Sequence, residues 1–261
     1  MRVTLTVVDA AGQNLAQSSA DHEAFLVYRQ PYRDGDQLLV DVSEPGHIRL
    51  ALDAAMTPAI LYLPQGRFSF SIPFGARKIA YPPHAFCGDL HRLYAAKARP
   101  EEMSAQRNLA FNPLDDHANS QAFPHVEANV ETRGEAAFAV RNVIDGERAN
   151  SNHGFWPFTS WGINRDPQAA LTLFFGRPVT LCEVVLTLRA DFPHDAWWES
   201  AVLSFSGGEE TRLTLIKSSA AQCFCLPEMR TEWVRLHSLV KADDPSPFPA
   251  LTQIEAWGTE A

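Results

Sequence analysis

Between Val3 and Ile72 the chain is cut into short apolar or alternating runs: Val3–Val8, Ala24–Tyr28, Gln37–Val42, His47–Leu52, Ala59–Leu63 and Arg67–Ile72. Turn signals separate them at Asp34-Gly35-Asp36, Pro45-Gly46 and Pro64-Gln65-Gly66. Strands this close in sequence leave no room for the helical crossovers of a parallel sheet, which take a dozen or more residues. They predict hairpins folded into a compact sandwich or barrel.

The pattern loosens from about Ile79 and resumes after Pro124. His91–Ala98 adds one more strand. Pro100-Glu101-Glu102 starts a short helix, with Pro in the first turn and two carboxylates near the positive helix end. Asn112-Pro113 closes it. Ala136–Ile144 reads as a second short helix ending at Asp145-Gly146. Strand-like runs then follow at Ala170–Phe175, Leu181–Leu188, Ala201–Ser206, Thr211–Ile216, Gln222–Leu226, Trp233–Leu239 and Thr252–Trp257, with a hairpin turn at Ser206-Gly207-Gly208-Glu209. The expectation is an all-β chain of two tandem β-sandwich domains: residues 1–100, a connector over 101–123, and a second sandwich over 124–261.

At 261 residues the chain is long enough to bury two ordinary cores, and 46% hydrophobic with 20% charged residues describes a globular protein. A net charge of −9 argues against nucleic acid, whose binding is dominated by basic contacts to phosphate. No apolar run approaches the ~18 residues that span a bilayer, and Met1–Asp9 alternates like a strand instead of forming a signal peptide's apolar stretch. These features predict a cytoplasmic protein without a membrane partner. Cys87, Cys182, Cys223 and Cys225 have neither C-x-x-C nor zinc spacing, and are expected as buried free thiols. His47, at a strand start after Pro-Gly, reads as a solvated edge residue.

Arg189–Ser200 packs an Arg, two Asp, a His and adjacent Trp197 and Trp198 into twelve residues that Pro193 keeps out of a regular strand. Large rings are costly to leave in water unless a core or partner covers them. One reading is a sugar site, with the rings under a pyranose and Arg189, Asp191, His194 and Asp195 on its hydroxyls. The other is a structural plug in which the tryptophans pack beneath the loop. The loop Glu147–Gln168 adds Trp156 as a further stacking candidate. The Pro-rich stretch Asp243–Pro249 either edges the same rim or covers an exposed strand.

Asp145-Gly146, Ser160-Trp161, Leu171-Thr172-Leu173, Gly176, the strand Leu181–Leu186 and the closing Ile254-Glu255-Ala256-Trp257-Gly258 stand in an order that resembles the galactose-binding-like sandwiches, the discoidin (coagulation factor 5/8 type C) domains and related carbohydrate-binding modules. The resemblance covers about residues 129–258. It implies a jelly-roll sandwich whose ligand sits on loops at one end, with Trp161 in the core. It also implies a structural calcium near Asp145 and Glu255, with Asn150 or Asn152 adding oxygens.

These readings converge on a non-catalytic carbohydrate-binding protein with Trp156, Arg189, Asp191, His194, Asp195, Trp197 and Trp198 as ligand residues. Two alternatives stay open. One is a carbohydrate-active hydrolase with a site at the domain junction, using His125 or His194 with nearby carboxylates. The other is an assembly module whose tryptophans bury against another subunit in a homo-oligomer.

Overall fold

The structure, a computed structural model, describes residues 1–119, 121–190 and 196–261. The first sandwich has two antiparallel four-stranded sheets. One contains β1 (Arg2–Val8), β2 (Asn14–Asp21), β4 (Gln37–Val42) and β7 (Arg67–Ser71) in the order β2-β1-β4-β7. The other contains β3 (Glu23–Tyr28), β5 (Gly46–Ala51), β6 (Ala59–Leu63) and β8 (His91–Lys97) in the order β3-β8-β5-β6. Alternation puts Val3, Leu5, Leu38, Val40, Phe68 and Phe70 of one sheet against Leu26, Ile48, Leu50, Leu61 and Leu93 of the other, all buried. Strand β2, Asn-Leu-Ala-Gln-Ser-Ser-Ala-Asp, carries no apolar alternation and escapes a pattern reading. It is an edge strand held by its backbone pairing with β1.

The second sandwich grows from two long strands, β12 (Leu171–Leu188) and β15 (Gln222–Lys241). Each joins two runs that the sequence shows as separate. Leu171–Phe174 of β12 lies between β10 (His125–Ala128) and the Trp233–Leu236 stretch of β15, whereas Val179–Leu188 lies between β16 (Ala250–Glu260) and the start of β15. The pairing changes around Gly176, where φ is +69° and a side chain would collide with the Phe123 ring, 2.4 Å from an added Cβ. The register against β15 shifts at this point. Strands β13 (Trp198–Phe205) and β14 (Glu210–Thr214) extend one side through the predicted hairpin; β11 (Trp161–Gly162) and β9 (Arg107–Asn108) flank β16 on the other. Gly258 has no alternative, since a Cβ there would lie 2.0 Å from the Thr180 carbonyl oxygen. Trp161, Leu173, Phe175, Leu186, Trp198, Phe205 and Ile254 fill the core.

Four local expectations change. The helix at Ala136–Ile144 is two 3-10 turns, Ala136–Phe138 and Val140–Ile144. The helix α1 (Pro100–Ser104) starts where it was read, with Glu102 accepting the Arg99 backbone N–H at 2.8 Å, but it is a single short turn that ends at Ser104, well before Asn112-Pro113. The cysteines are free but not buried: Cys87, Cys223 and Cys225 are exposed and Cys182 is half-buried. His47 is no solvated edge residue. It lies 3.3 Å from Glu260 with its side chain 19% exposed, and burial lowers its pKa against the pull of that carboxylate.

The two cores meet across polar contacts. Leu109 and Ala110 join the second core, and Leu114 and Ala122 the first, so residues 109–114 pass from one to the other. Tyr62 and Phe123 exchange backbone hydrogen bonds at 2.8 and 3.0 Å. Glu260 takes a bidentate pair from Arg177 at 2.7 Å and another bond from Arg107. This cationic surround pulls the Glu260 carboxyl far below the usual range, overcoming its burial. Arg141, in the second 3-10 turn, donates to the carbonyls of Asp115 (2.7 Å), Pro113 (2.8 Å) and Ala80 (3.3 Å) and lies 4.5 Å from the Tyr81 ring centre. Truncating a buried, fully engaged charge of this kind costs about 3–5 kcal/mol. Arg141→Ala is therefore expected to lower unfolding free energy by that amount in chemical denaturation. Arg141→Lys, lacking the planar fork, should recover only a small part; full recovery would show that charge alone matters there.

Candidate functional site

At the end of the second sandwich where β12 stops and β16 begins, segments 132–133, 162–165 and 248–250 surround a cavity of about 180 Å³. Arg189, Phe138, Phe248 and His153 also line it. The Pro-rich stretch thus borders the rim. Asn164 and Arg165 are consecutive residues at positive φ, 50° and 61°, a conformation costing a non-glycine residue on the order of 1 kcal/mol. The Thr132 hydroxyl accepts the Asn164 N–H at 3.0 Å and helps hold this turn. Both side chains are exposed, and the Arg165 guanidinium lies 5.4 Å from the ring centre of Phe248, itself 40% exposed. An exposed ring beside amide and guanidinium donors can cover an apolar face and bond to neighbouring oxygens.

Those of the predicted ligand residues that are described do not gather here. Arg189 lines the cavity but is 4% exposed, its backbone N–H donating to Ala250 and its guanidinium 6.0 Å from the Phe138 ring centre. Trp198 is 1% exposed and sits in the core, so it offers no face to a sugar, and the plug reading applies to it. Trp197 is half-buried against that core. Trp161 is fully buried, as the resemblance implied, its indole N–H donating to the Val130 carbonyl at 2.9 Å. Asp191, His194 and Asp195 lie outside the described residues. Phe138, His153, Asn164, Arg165 and Phe248 come together only in three dimensions. The signal available for them was the Pro-rich stretch and the long loop, not a motif.

Trp156 lies elsewhere. Its backbone N–H donates to Ile79 of the first sandwich at 2.8 Å, and its side chain lines a second cavity of about 480 Å³ between the two sandwiches. Asp145 and Glu255 line the same cavity, although the sequence assigned them a different role. The Asp145 carboxylate accepts from the Glu147 amide and from Gln253 Nε2, both at 2.8 Å, with Arg141 at 4.0 Å. Glu255 accepts from Trp257 Nε1 at 2.8 Å, and its other oxygen lies 3.0 Å from Arg148. Calcium needs six to eight oxygens facing one point. These carboxylates face N–H donors and guanidinium cations instead, and Asn150 is turned to the Leu188 and Ser219 carbonyls. As folded, the donor set does not suit calcium.

The histidine of the enzyme reading is an internal strut. His125 is 5% exposed and bonded to Asp115 at 2.8 Å and Glu127 at 3.4 Å, while Asp115 also accepts from Asn119 and from the Val126 amide. Burial depresses the imidazole, yet the bond and charge of Asp115 outweigh it and leave His125 above its ordinary pKa.

Burial pushes the Asp145 carboxyl up to about 7, against the opposing pull of Arg141. A carboxyl whose folded pKa exceeds its unfolded value favours the fold when protonated. This contribution is complete below the unfolded pKa, near 4, and is lost as pH rises through about 7. At about 1.4 kcal/mol per pH unit between the two states it amounts to on the order of 4 kcal/mol. Asp145→Asn should therefore gain stability relative to the parent between about pH 4 and about pH 8, read from paired denaturation curves. A difference that does not change with pH would show that Asp145 stays ionised throughout.

No family model matches the chain, and no curated protein matches it. Solved structures similar to it include chitosan-binding module 1 of a chitosanase/glucanase from Paenibacillus sp. IK-5, at 19% identity over 58% of this chain and 99% of that one, with a TM-score of 0.41. The family 32 carbohydrate-binding module of NanJ from C. perfringens, in complex with galactose, matches at 13% identity over 51% and 91%, TM-score 0.39. A fucose-binding module from Streptococcus pneumoniae matches at 12% over 59% and 99%, TM-score 0.41.

Proposed function

We propose that the chain is a non-catalytic carbohydrate-binding protein that holds a sugar at the rim of its second sandwich. The observation that carries this reading is the exposed Phe248 ring standing beside Arg165 and Asn164 at a concavity of about 180 Å³. The apolar face of a pyranose lies on the ring. Asn164 both donates to and accepts from ring hydroxyls, and Arg165 donates to them. The cavity takes a single residue of a chain, end first. Such a shallow site binds weakly, on the order of 4–8 kcal/mol, which is millimolar to micromolar.

The test is calorimetry against a panel of neutral mono- and oligosaccharides, with chromatography of the sugar afterwards. Phe248→Ala and Arg165→Ala should each weaken binding by roughly tenfold, about 1.4 kcal/mol, with melting temperatures unchanged and the sugar recovered intact. Parent-like affinity in both variants would remove the rim from consideration. Loss of the sugar during incubation would favour the hydrolase instead.

A further inference from the structure

The cavity between the sandwiches has its own chemistry. The chain carries −9 overall, yet this lining holds four arginines (Arg49, Arg107, Arg141, Arg148) and three carboxylates (Asp145, Glu147, Glu255), a sum of +1. Its hydrogen-bonding capacity is uneven. Arg141 is spent on carbonyls, Arg107 on Glu260 and two helix carbonyls, and Gln253 on Asn142, Asp145 and Gly146. Arg49, from β5, pairs through one nitrogen with Glu102. Arg148, with its side chain 56% exposed, forms an ion pair with Glu255 alone among the described residues. Asn108 uses its carbonyl for the Ala110 and Ala256 amides, which leaves its NH2 group over. Spare donors thus come from the first sandwich, the connector and the second sandwich alike.

Two further features point to a ligand. Trp156 and Trp257 both line the cavity and both keep part of their rings exposed. Glu255 is 3% exposed, and its Oε1 has no aligned hydrogen bond although Arg148 lies 3.0 Å away. A volume of about 480 Å³ falls within the range of small-molecule sites.

We propose that this cleft is a second binding site, selective for an acidic saccharide, its carboxylate held by Arg49 and Arg148 and its ring covered by Trp156. The inference rests on reading the chain as a sugar-binding protein but not on the rim site. Because the two arginines belong to different sandwiches, the ligand bridges them.

Galacturonate and galactose differ only in the group at C6 and serve as the probes. Tryptophan fluorescence of the full chain at low ionic strength should show galacturonate binding at least roughly tenfold more tightly than galactose, with the preference shrinking as salt is added. Arg49→Gln and Arg148→Gln should each abolish the preference, and Trp156→Phe should remove the fluorescence change that galacturonate produces. Phe248→Ala should weaken galactose binding and leave the galacturonate signal. If Arg148→Gln unfolds, Arg49→Gln decides, since Arg49 has its side chain 37% exposed and, among the described residues, one ion pair, with Glu102. Equal affinity for the two sugars, no response to galacturonate, or a preference that survives Arg49→Gln would each overturn the cleft site. The galactose arm reports the rim separately, so failure of one site is distinguishable from failure of the other.

Discussion

The guanidinium of Arg141 is the contact on which the rest of the arrangement depends. It is 5% exposed, and it satisfies three backbone carbonyls that belong to different parts of the chain: Ala80 at the end of the first sandwich, and Pro113 and Asp115 in the segment threading between the cores. A buried carbonyl without a partner costs on the order of 1–3 kcal/mol. One side chain therefore removes several such costs at once, and it does so only if both sandwiches and the connector are already in position. Lysine, with a compact charge and no fork, cannot occupy three divergent acceptors at these distances.

A second group, around Glu260, performs the same task at the far end of the last strand. Arg177 and Arg107 converge on one carboxylate, with His47 of the first sandwich beside it. The junction is thus polar and specific where the two cores are apolar. Geometric requirements of charge-assisted hydrogen bonds fix a single mutual orientation, which an apolar interface of the same area specifies less sharply. The cleft containing Trp156, Trp257 and Glu255 is a consequence of that orientation. Its walls come from both sandwiches, so neither alone forms it.

Much of the architecture was legible in the residues. Runs such as Gln37–Val42 and Ala59–Leu63 are strands with the bounds that alternation suggests, because one face of each is buried and the pattern records it. Strand β2 was not legible, since an edge strand needs only backbone partners and leaves no apolar signature. The long strands β12 and β15 read as pairs of shorter ones because Gly176-Arg177-Pro178 and the polar stretch Pro227–Arg230 look like turns. They are irregularities at which a continuous strand shifts its pairing register. The tryptophans show the same limit for the sites. Trp161 and Trp198 are core residues and Trp156 faces the cleft, yet in sequence each is simply a large ring beside polar neighbours.

By itself the sequence determined the fold class and the presence of two separately cored halves, because these follow from local alternation and turn chemistry. Tertiary structure decided which residues meet. Asp145 and Glu255 are 110 positions apart and share a wall only because β16 lies beside the turn at 145–148. Phe248 reaches Arg165 only because β11 pairs with β16. A site made of side chains from distant strands leaves no periodicity in the chain, since the distances that define it are set by sheet order and register, not by spacing along the backbone.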